Sequence, residues 1–235
     1  MVTLSLFPLL GMMGLLVDMG YAHYRKQMAK AAAMSAAIAA AISVQNNSGI
    51  SRCVPLAVLL SPRFAGRMRI DSRGNTVFPH FDAAGLCGYE IKNCGYSGFA
   101  AGGQKGLWFS HAQPDDRRLV LTESAIDALS YAALFADAED QTRYASLGGK
   151  PSSRQAALVQ ATVAKLPAGA EIVAAFDADD AGRKLVAMIR EIVAGIALRT
   201  ERSDLIFETR LPADEGDDWN QVLRNAGLDQ TGLAK

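Results

Sequence analysis

Cysteine is scarce in this 235-residue chain, with only Cys53, Cys87 and Cys94. Three are too few for a disulfide scaffold and cannot complete a four-cysteine zinc site, so reduced cysteines in a cytosolic domain are expected. Net charge is also missing: 24 Lys and Arg balance 24 Asp and Glu. That balance excludes a polybasic protein that coats nucleic acid by charge alone, and leaves only local patches for such contact. Histidine is rare. His80 and His111 have no partner at metal-ligand spacing and are expected to be structural. What the chain has in quantity is apolar residues, 50% of the total, enough to bury a core in one medium domain or two small ones.

Residues 1–50 differ from the rest. From Val2 to Val17 the chain is almost wholly apolar, then meets Asp18, Arg25, Lys26 and Lys30 and an alanine-rich helix former, AAAMSAAIAAAISV. Asn46-Asn47-Ser48-Gly49 closes the segment as a turn or linker. The apolar run is slightly short for a membrane span. Its positive charge follows rather than precedes it, unlike a secretory signal, and would leave the remainder of the chain in the cytoplasm. Two expectations stand side by side: a membrane contact through residues 1–21, or a hydrophobic helical hairpin packed on a partner. The stretch GMMGLLVDMGYAHYRKQMAKAAAMSAAIAAA resembles the amino-terminal segment of Tad-type pilus-assembly proteins.

Residues 51–116 are punctuated by glycine and turn residues, with little helical periodicity. Thr76 to Phe81 and Gly88 to Lys92 read as strands separated by the turn Asp82-Ala83-Ala84-Gly85, which predicts a small antiparallel meander. Arg63, Arg67, Arg69 and Arg73 cluster here. They are either a solvated face or a strip contacting phosphates. Lys105 sits in the loop Gly102-Gly103-Gln104-Lys105-Gly106, whose backbone N–H groups could cradle a phosphate.

Residues 117–228 alternate strand and helix. Leu119 to Thr122, Tyr144 to Leu147, Glu171 to Phe176 and Leu205 to Thr209 read as strands, and Trp219 to Ala226 as a closing helix. This alternation predicts an α/β fold, a Rossmannoid parallel sheet of about four strands with flanking helices and right-handed crossovers. The acids then fall at one place. Glu123 follows the first strand, Asp177 and Asp179 the third, and Asp217 and Asp218 the fourth. In an open parallel sheet this is the carboxyl edge, where ligands bind. Asp127, one helical turn past Glu123, can reach the same crevice. Gathering carboxylates raises their pKa values through mutual repulsion. A divalent cation relieves it, and hard oxygen ligands at this density suit Mg²⁺.

The segments LVLTESAIDALS, with Glu123 and Asp127, and IVAAFDADDAG, with Asp177, Asp179 and Gly182, are similar to the two signature motifs of the Toprim domain. That domain is shared by bacterial-type primases, topoisomerases and some nucleases. GDDWNQVL resembles the third acidic motif of the primase branch, with Asp218 at its first acid and Asn220 in place of its second. FPHFDAAGLCGYEIKN and GFAAGGQKGLWFS resemble a segment of uncharacterised function found before Toprim in plasmid and mobile-element proteins. The resemblance implies that Glu123 acts as general base or acid and that Asp177 and Asp179, supported by Asp218, hold Mg²⁺, for which Mn²⁺ substitutes. It implies a primase-like nucleotidyltransferase acting on DNA or RNA with a helicase, a relaxase or another replication or conjugation protein. A nuclease with the same metal site and a non-catalytic nucleic-acid scaffold are the alternatives. Gly182 is expected to allow close packing at a helix start, and a topoisomerase is not expected in a chain of this length.

Overall fold

The computed structural model describes residues 54–93, 95–136, 141–200 and 202–231. The apolar segment before residue 51, with its anticipated membrane contact, lies outside the described residues, as do Cys53 and Cys94. Among the described residues no helix is long and apolar enough to cross a membrane.

A short helix, α1 (Leu56–Leu59), opens the described chain. Four antiparallel strands follow in the spatial order β1 (Arg69–Ile70), β2 (Thr76–Asp82), β3 (Gly85–Asn93) and β4 (Tyr96–Phe99). The register of β2 on β3 runs from Thr76 opposite Lys92 to Asp82 opposite Gly85, with a shift between His80 and Phe81. Gly85, at φ 120°, makes the tight return that the Asp82–Gly85 turn anticipates.

The second sheet holds β5 (Trp108–Phe109), β6 (Arg118–Thr122), β7 (Thr142–Ser146), β8 (Glu171–Ala174) and β9 (Ile206–Thr209) in the order β5-β7-β6-β8-β9. The four strands β6 to β9 are parallel, as the alternation predicts. The sequence reading lacks the fifth: β5 pairs antiparallel with β7, so the sheet is mixed rather than purely parallel. Two residues are too few for a periodic signal, and pairing to a preformed edge makes them a strand. Phe81 and Leu107 exchange backbone hydrogen bonds of 2.8 and 2.9 Å and join the two sheets.

Period-2 alternation puts apolar side chains on both faces of the parallel strands. Val120, Tyr144 and Val173 point into one core, against α1, α2 (Ala125–Leu134) and α5 (Trp219–Thr231). Leu119, Leu121, Ala145, Ile172 and Ala174 point into the other, against α3 (Ser153–Val163) and α4 (Asp180–Thr200). Ser124 and Ser152 start α2 and α3 with reciprocal capping boxes. The first core continues beneath the antiparallel sheet: Phe64, fully buried, stacks on Trp108 at 6.1 Å and meets Tyr144 at 5.3 Å. Gln155, also buried, donates to the carbonyls of Gly106 and Leu147 and ties α3 to both loops.

Truncating the buried Phe64 ring removes its packing against Trp108 and Tyr144 and leaves a cavity. Phe64→Ala is expected to lower stability by about 3–5 kcal/mol in urea denaturation. Leu86→Ala, at an exposed position, is expected to stay within about 0.5 kcal/mol of the parent.

Candidate functional site

Parallel pairing brings the ends of β6, β7 and β8 together, and the loops that follow them are laced by backbone bonds. The Glu123 carbonyl accepts from Gly148 at 2.8 Å and Gly149 at 3.2 Å. Ala178 N–H donates to Asp217 at 2.9 Å, and Gly216 N–H to Ala178 at 2.8 Å. Gly148 and Gly149 adopt positive φ of 68° and 82°, where a side chain would be strained. Gly182 packs against the backbone of Asp177 so closely that a Cβ there would lie 2.1 Å from the Asp177 carbonyl oxygen.

Three of the acids each use oxygens on local N–H groups. Asp179 Oδ1 accepts from Gly182 N–H at 2.7 Å at the start of α4, and Asp218 Oδ1 from Gln221 N–H at 2.6 Å at the start of α5. Asp127 is buried in the capping box of α2, where its Oδ2 accepts from Ser124 Oγ at 2.6 Å. These are ordinary helix-cap bonds, but all three helices begin at the carboxyl edge of the same sheet. Asp177 differs: its Oδ1 is buried without a hydrogen-bond partner. Burial first, then the charges of Asp127, Glu123, Asp218 and Asp179, push the Asp177 carboxyl up to about 8. Burial, with Asp218 and Glu123 adding, pushes Asp127 up to about 7 against the Ser124 bonds. Glu123, half-buried, is also raised, by burial and then Asp179, with Lys92 and Lys105 opposing.

The anticipated acids are therefore mutual neighbours. They do not form a cage: among the described residues no three His, Cys, Asp or Glu side chains stand placed to hold an ion by themselves. The donor set nevertheless fits Mg²⁺, which takes one or two carboxylates and fills its remaining positions with water and substrate phosphates. The unpartnered Asp177 oxygen is the donor such an ion would satisfy.

Two clefts flank the cluster. One, of about 350 Å³, runs between Asp127, Asp218 and Asn220 on one side and Lys92, Asn93 and Tyr96 of the β3–β4 hairpin on the other. Lys92 is held by Glu90 at 2.8 Å and Ser97 at 2.7 Å. Asn220 is buried, with its Oδ1 unpartnered. The other cleft, of about 410 Å³, lies between Glu123, Lys150 and Lys184 over an apolar floor of Pro151, Leu185 and Met188. Lys105 is close by and donates to the Gly148 carbonyl at 2.8 Å. The arginines disperse. Arg67 lies over the Phe81 ring at 5.1 Å, Arg69 is exposed on β1, and Arg73 lines a groove that shares Asn93 and Tyr96 with the first cleft. Lys92, Lys150 and Lys184 have no motif around them, and the alternation of Glu90 with Lys92 is the one local hint that this face of β3 turns inward.

Residues 120–223 match the family described as Toprim-like. This part of the chain is a Toprim-like domain. Residues 50–116 match a family described as a protein of unknown function, DUF3991, and residues 1–43 one described as Flp pilus-assembly TadE/G-like. Among solved structures, the primase fragment of the bacteriophage T7 primase-helicase protein is 20% identical, with a TM-score of 0.43 over 68% of this chain and 62% of that one. The chain thus spans less than two thirds of that fragment. The bacteriophage T7 lagging-strand DNA polymerase interacting with primase domains bound to an RNA/DNA hybrid and dTTP contains a chain 18% identical, with a TM-score of 0.42 over 69% and 77%. No curated protein matches.

The raised carboxyls give the Toprim-like domain a signed pH response. Folded Asp127 and Asp177 keep protons that the unfolded chain releases near its ordinary value of about 4. Their contribution to stability is complete below that value and is lost as pH rises through about 7 and about 8. Thermal melts in chelator should show a lower Tm at pH 8.5 than this pair of groups allows at pH 5.5, and Asp177→Asn should narrow the gap. Gly182→Ala must displace the Asp177 backbone, at a cost of about 1–3 kcal/mol measurable by denaturant unfolding.

Proposed function

We propose that the Toprim-like domain carries out Mg²⁺-dependent nucleotidyl transfer of the primase kind, in plasmid or mobile-element DNA replication or transfer. The observation that carries this reading is the cluster at the carboxyl edge, where Asp177 presents a buried, unpartnered carboxylate oxygen among Glu123, Asp127, Asp179 and Asp218. Asp177 and Asp179 would hold the ion, with Asp218 in support. When bound, Mg²⁺ neutralises charge on phosphate oxygens and helps align them.

The chain's own residues supply the rest. Glu123, raised above the ordinary carboxylate range by burial and by Asp179, would take or give the proton as general base or acid. Lys92, pinned by Glu90 and Ser97, offers an ammonium to a phosphate across the first cleft. Lys150 and Lys184, above an apolar floor, suit a nucleotide, with the base on Leu185 and Met188 and the phosphates towards the acids. Asp127 stays in its cap and holds the start of α2. Asn220 favours a second reading. A buried amide where the primase motif has an acid carries no charge to an ion, which suits a scaffold that binds nucleic acid without turnover.

The test is incubation of the full chain with single-stranded DNA, ribonucleotides and Mg²⁺, with the label on the ribonucleotides in one assay and on the DNA in another. Lengthened products are expected, falling at least about 100-fold in Glu123→Gln and in Asp177→Asn. Undiminished extension by both variants overturns the reading. Shortened DNA identifies a nuclease, and binding without either change identifies the scaffold.

A further inference from the structure

The acid clefts leave a buried polar pair unexplained, on the inner face of the antiparallel sheet. His80 on β2 lies opposite Gly88 on β3, so Glu90, two residues on, shares its face. Both side chains are buried, His80 completely. The His80 ring is held on three sides. Its Nδ1 lies 2.8 Å from the Gly106 carbonyl, which can only accept, so Nδ1 carries the proton and Nε2 of the neutral ring is a bare acceptor. Phe99 meets the ring edge-on at 5.2 Å and occupies the space over Gly88, where a Cβ would lie 2.7 Å from the Phe99 ring. The third side is Gly148 of the Toprim-like domain. A Cβ there would lie 2.7 Å from His80 Cε1 and 3.0 Å from Nε2.

This contact costs stability. His80 Nε2 and Glu90 Oε2 are both buried without a hydrogen-bond partner, and each such group is worth about 1–3 kcal/mol of destabilisation. An apolar ring would avoid the first penalty, but nothing would fix its orientation. The imidazole is fixed, because the Gly106 carbonyl that it holds also accepts from buried Gln155 at 2.8 Å, and Gln155 donates in turn to Leu147. What rests against the ring is the loop that holds Glu123. The N–H groups of Gly148 and Gly149 both donate to the Glu123 carbonyl, at 2.8 and 3.2 Å. Glu90 meanwhile uses its other oxygen, Oε1, to hold Lys92 at 2.8 Å.

We propose that His80 is a positioning residue for Glu123: its imidazole, locked by the Gly106 carbonyl, is the stop against which Gly148 rests, and so fixes the loop whose amides hold the Glu123 carbonyl. The antiparallel sheet thereby forms part of the reactive edge. The inference rests on Glu123 as the general base or acid, a group whose misplacement by about 1 Å lowers turnover about 100-fold.

The test is amide hydrogen exchange on the full chain, with primer extension alongside, for the parent, His80→Ala and His80→Asn. In the parent, ¹⁵N spectra near neutral pH should show Nδ1 protonated and Nε2 bare; the reverse tautomer overturns the proposal, and this readout survives any misfolding of the variants. In His80→Ala the Gly148 and Gly149 amides should exchange at least about 10-fold faster, while Ala178, whose N–H is held by Asp217 in the loop after β8, is unchanged. His80→Asn keeps a donor for Gly106 but not the ring edge on Gly148, and should show the same local loss with a smaller fall in Tm. Equal acceleration of all three amides, or of none, marks a merely structural histidine and overturns the proposal. In extension, kcat should fall about 10–100-fold with KM within about twofold of the parent; extension unchanged in both variants also overturns it. If the parent extends nothing, the reading of Glu123 fails separately, and the exchange pattern alone upholds or overturns His80 as the stop for the Glu123 loop.

Discussion

Like charges buried together are the constraint on which the functional end of this molecule depends. Asp127 is buried and Asp177 half-buried, and each is raised first by burial and then by its acidic neighbours. Such a cluster works against the fold that contains it, because separated carboxylates in water would be more comfortable. It persists because the parallel sheet leaves it no choice. Hydrogen-bond register fixes β6 beside β8 and β8 beside β9, so residues that follow those strands are adjacent whatever their charge.

The surrounding structure softens the repulsion without cancelling it. Asp127, Asp179 and Asp218 each accept from an amide or hydroxyl at a helix start, where the positive end of the helix dipole also favours a carboxylate. Lys92 and Lys105 draw Glu123 back towards ionisation. Asp177 receives none of these bonds at Oδ1. It is the point at which the cluster remains unsatisfied, and therefore the point at which a ligand has the most to offer. Gly182 makes this geometry possible by letting the first turn of α4 rest on the Asp177 backbone.

Much of this was legible in the residue order. Short apolar runs alternating with helical periodicity specify the parallel strands, because a strand buried on both faces reads as continuously apolar. Acids placed directly after such runs must reach the carboxyl edge. The two-residue strand β5 and the four-residue helix α1 were not legible, since segments so short take their structure from what they pack against. Tyr96 was equally silent, and Lys92 gave only the hint of its alternation with Glu90. They face the acids only because Phe81 and Leu107 bond the antiparallel sheet to the parallel one. The arginines, neighbours in sequence, part because Arg67 turns onto Phe81 while Arg69 stays on an exposed strand.

By itself, then, the amino-acid sequence determined the alternation of strand and helix, the edge to which Glu123, Asp177, Asp179 and Asp218 are carried, and the oxygen-rich character of the site, all properties set by local pattern and connectivity. Only the tertiary structure decided which of those acids lacks a partner, and that the β3–β4 hairpin walls the cleft. Burial and proximity across long stretches of chain are products of packing two sheets together, and no periodicity along one strand encodes them.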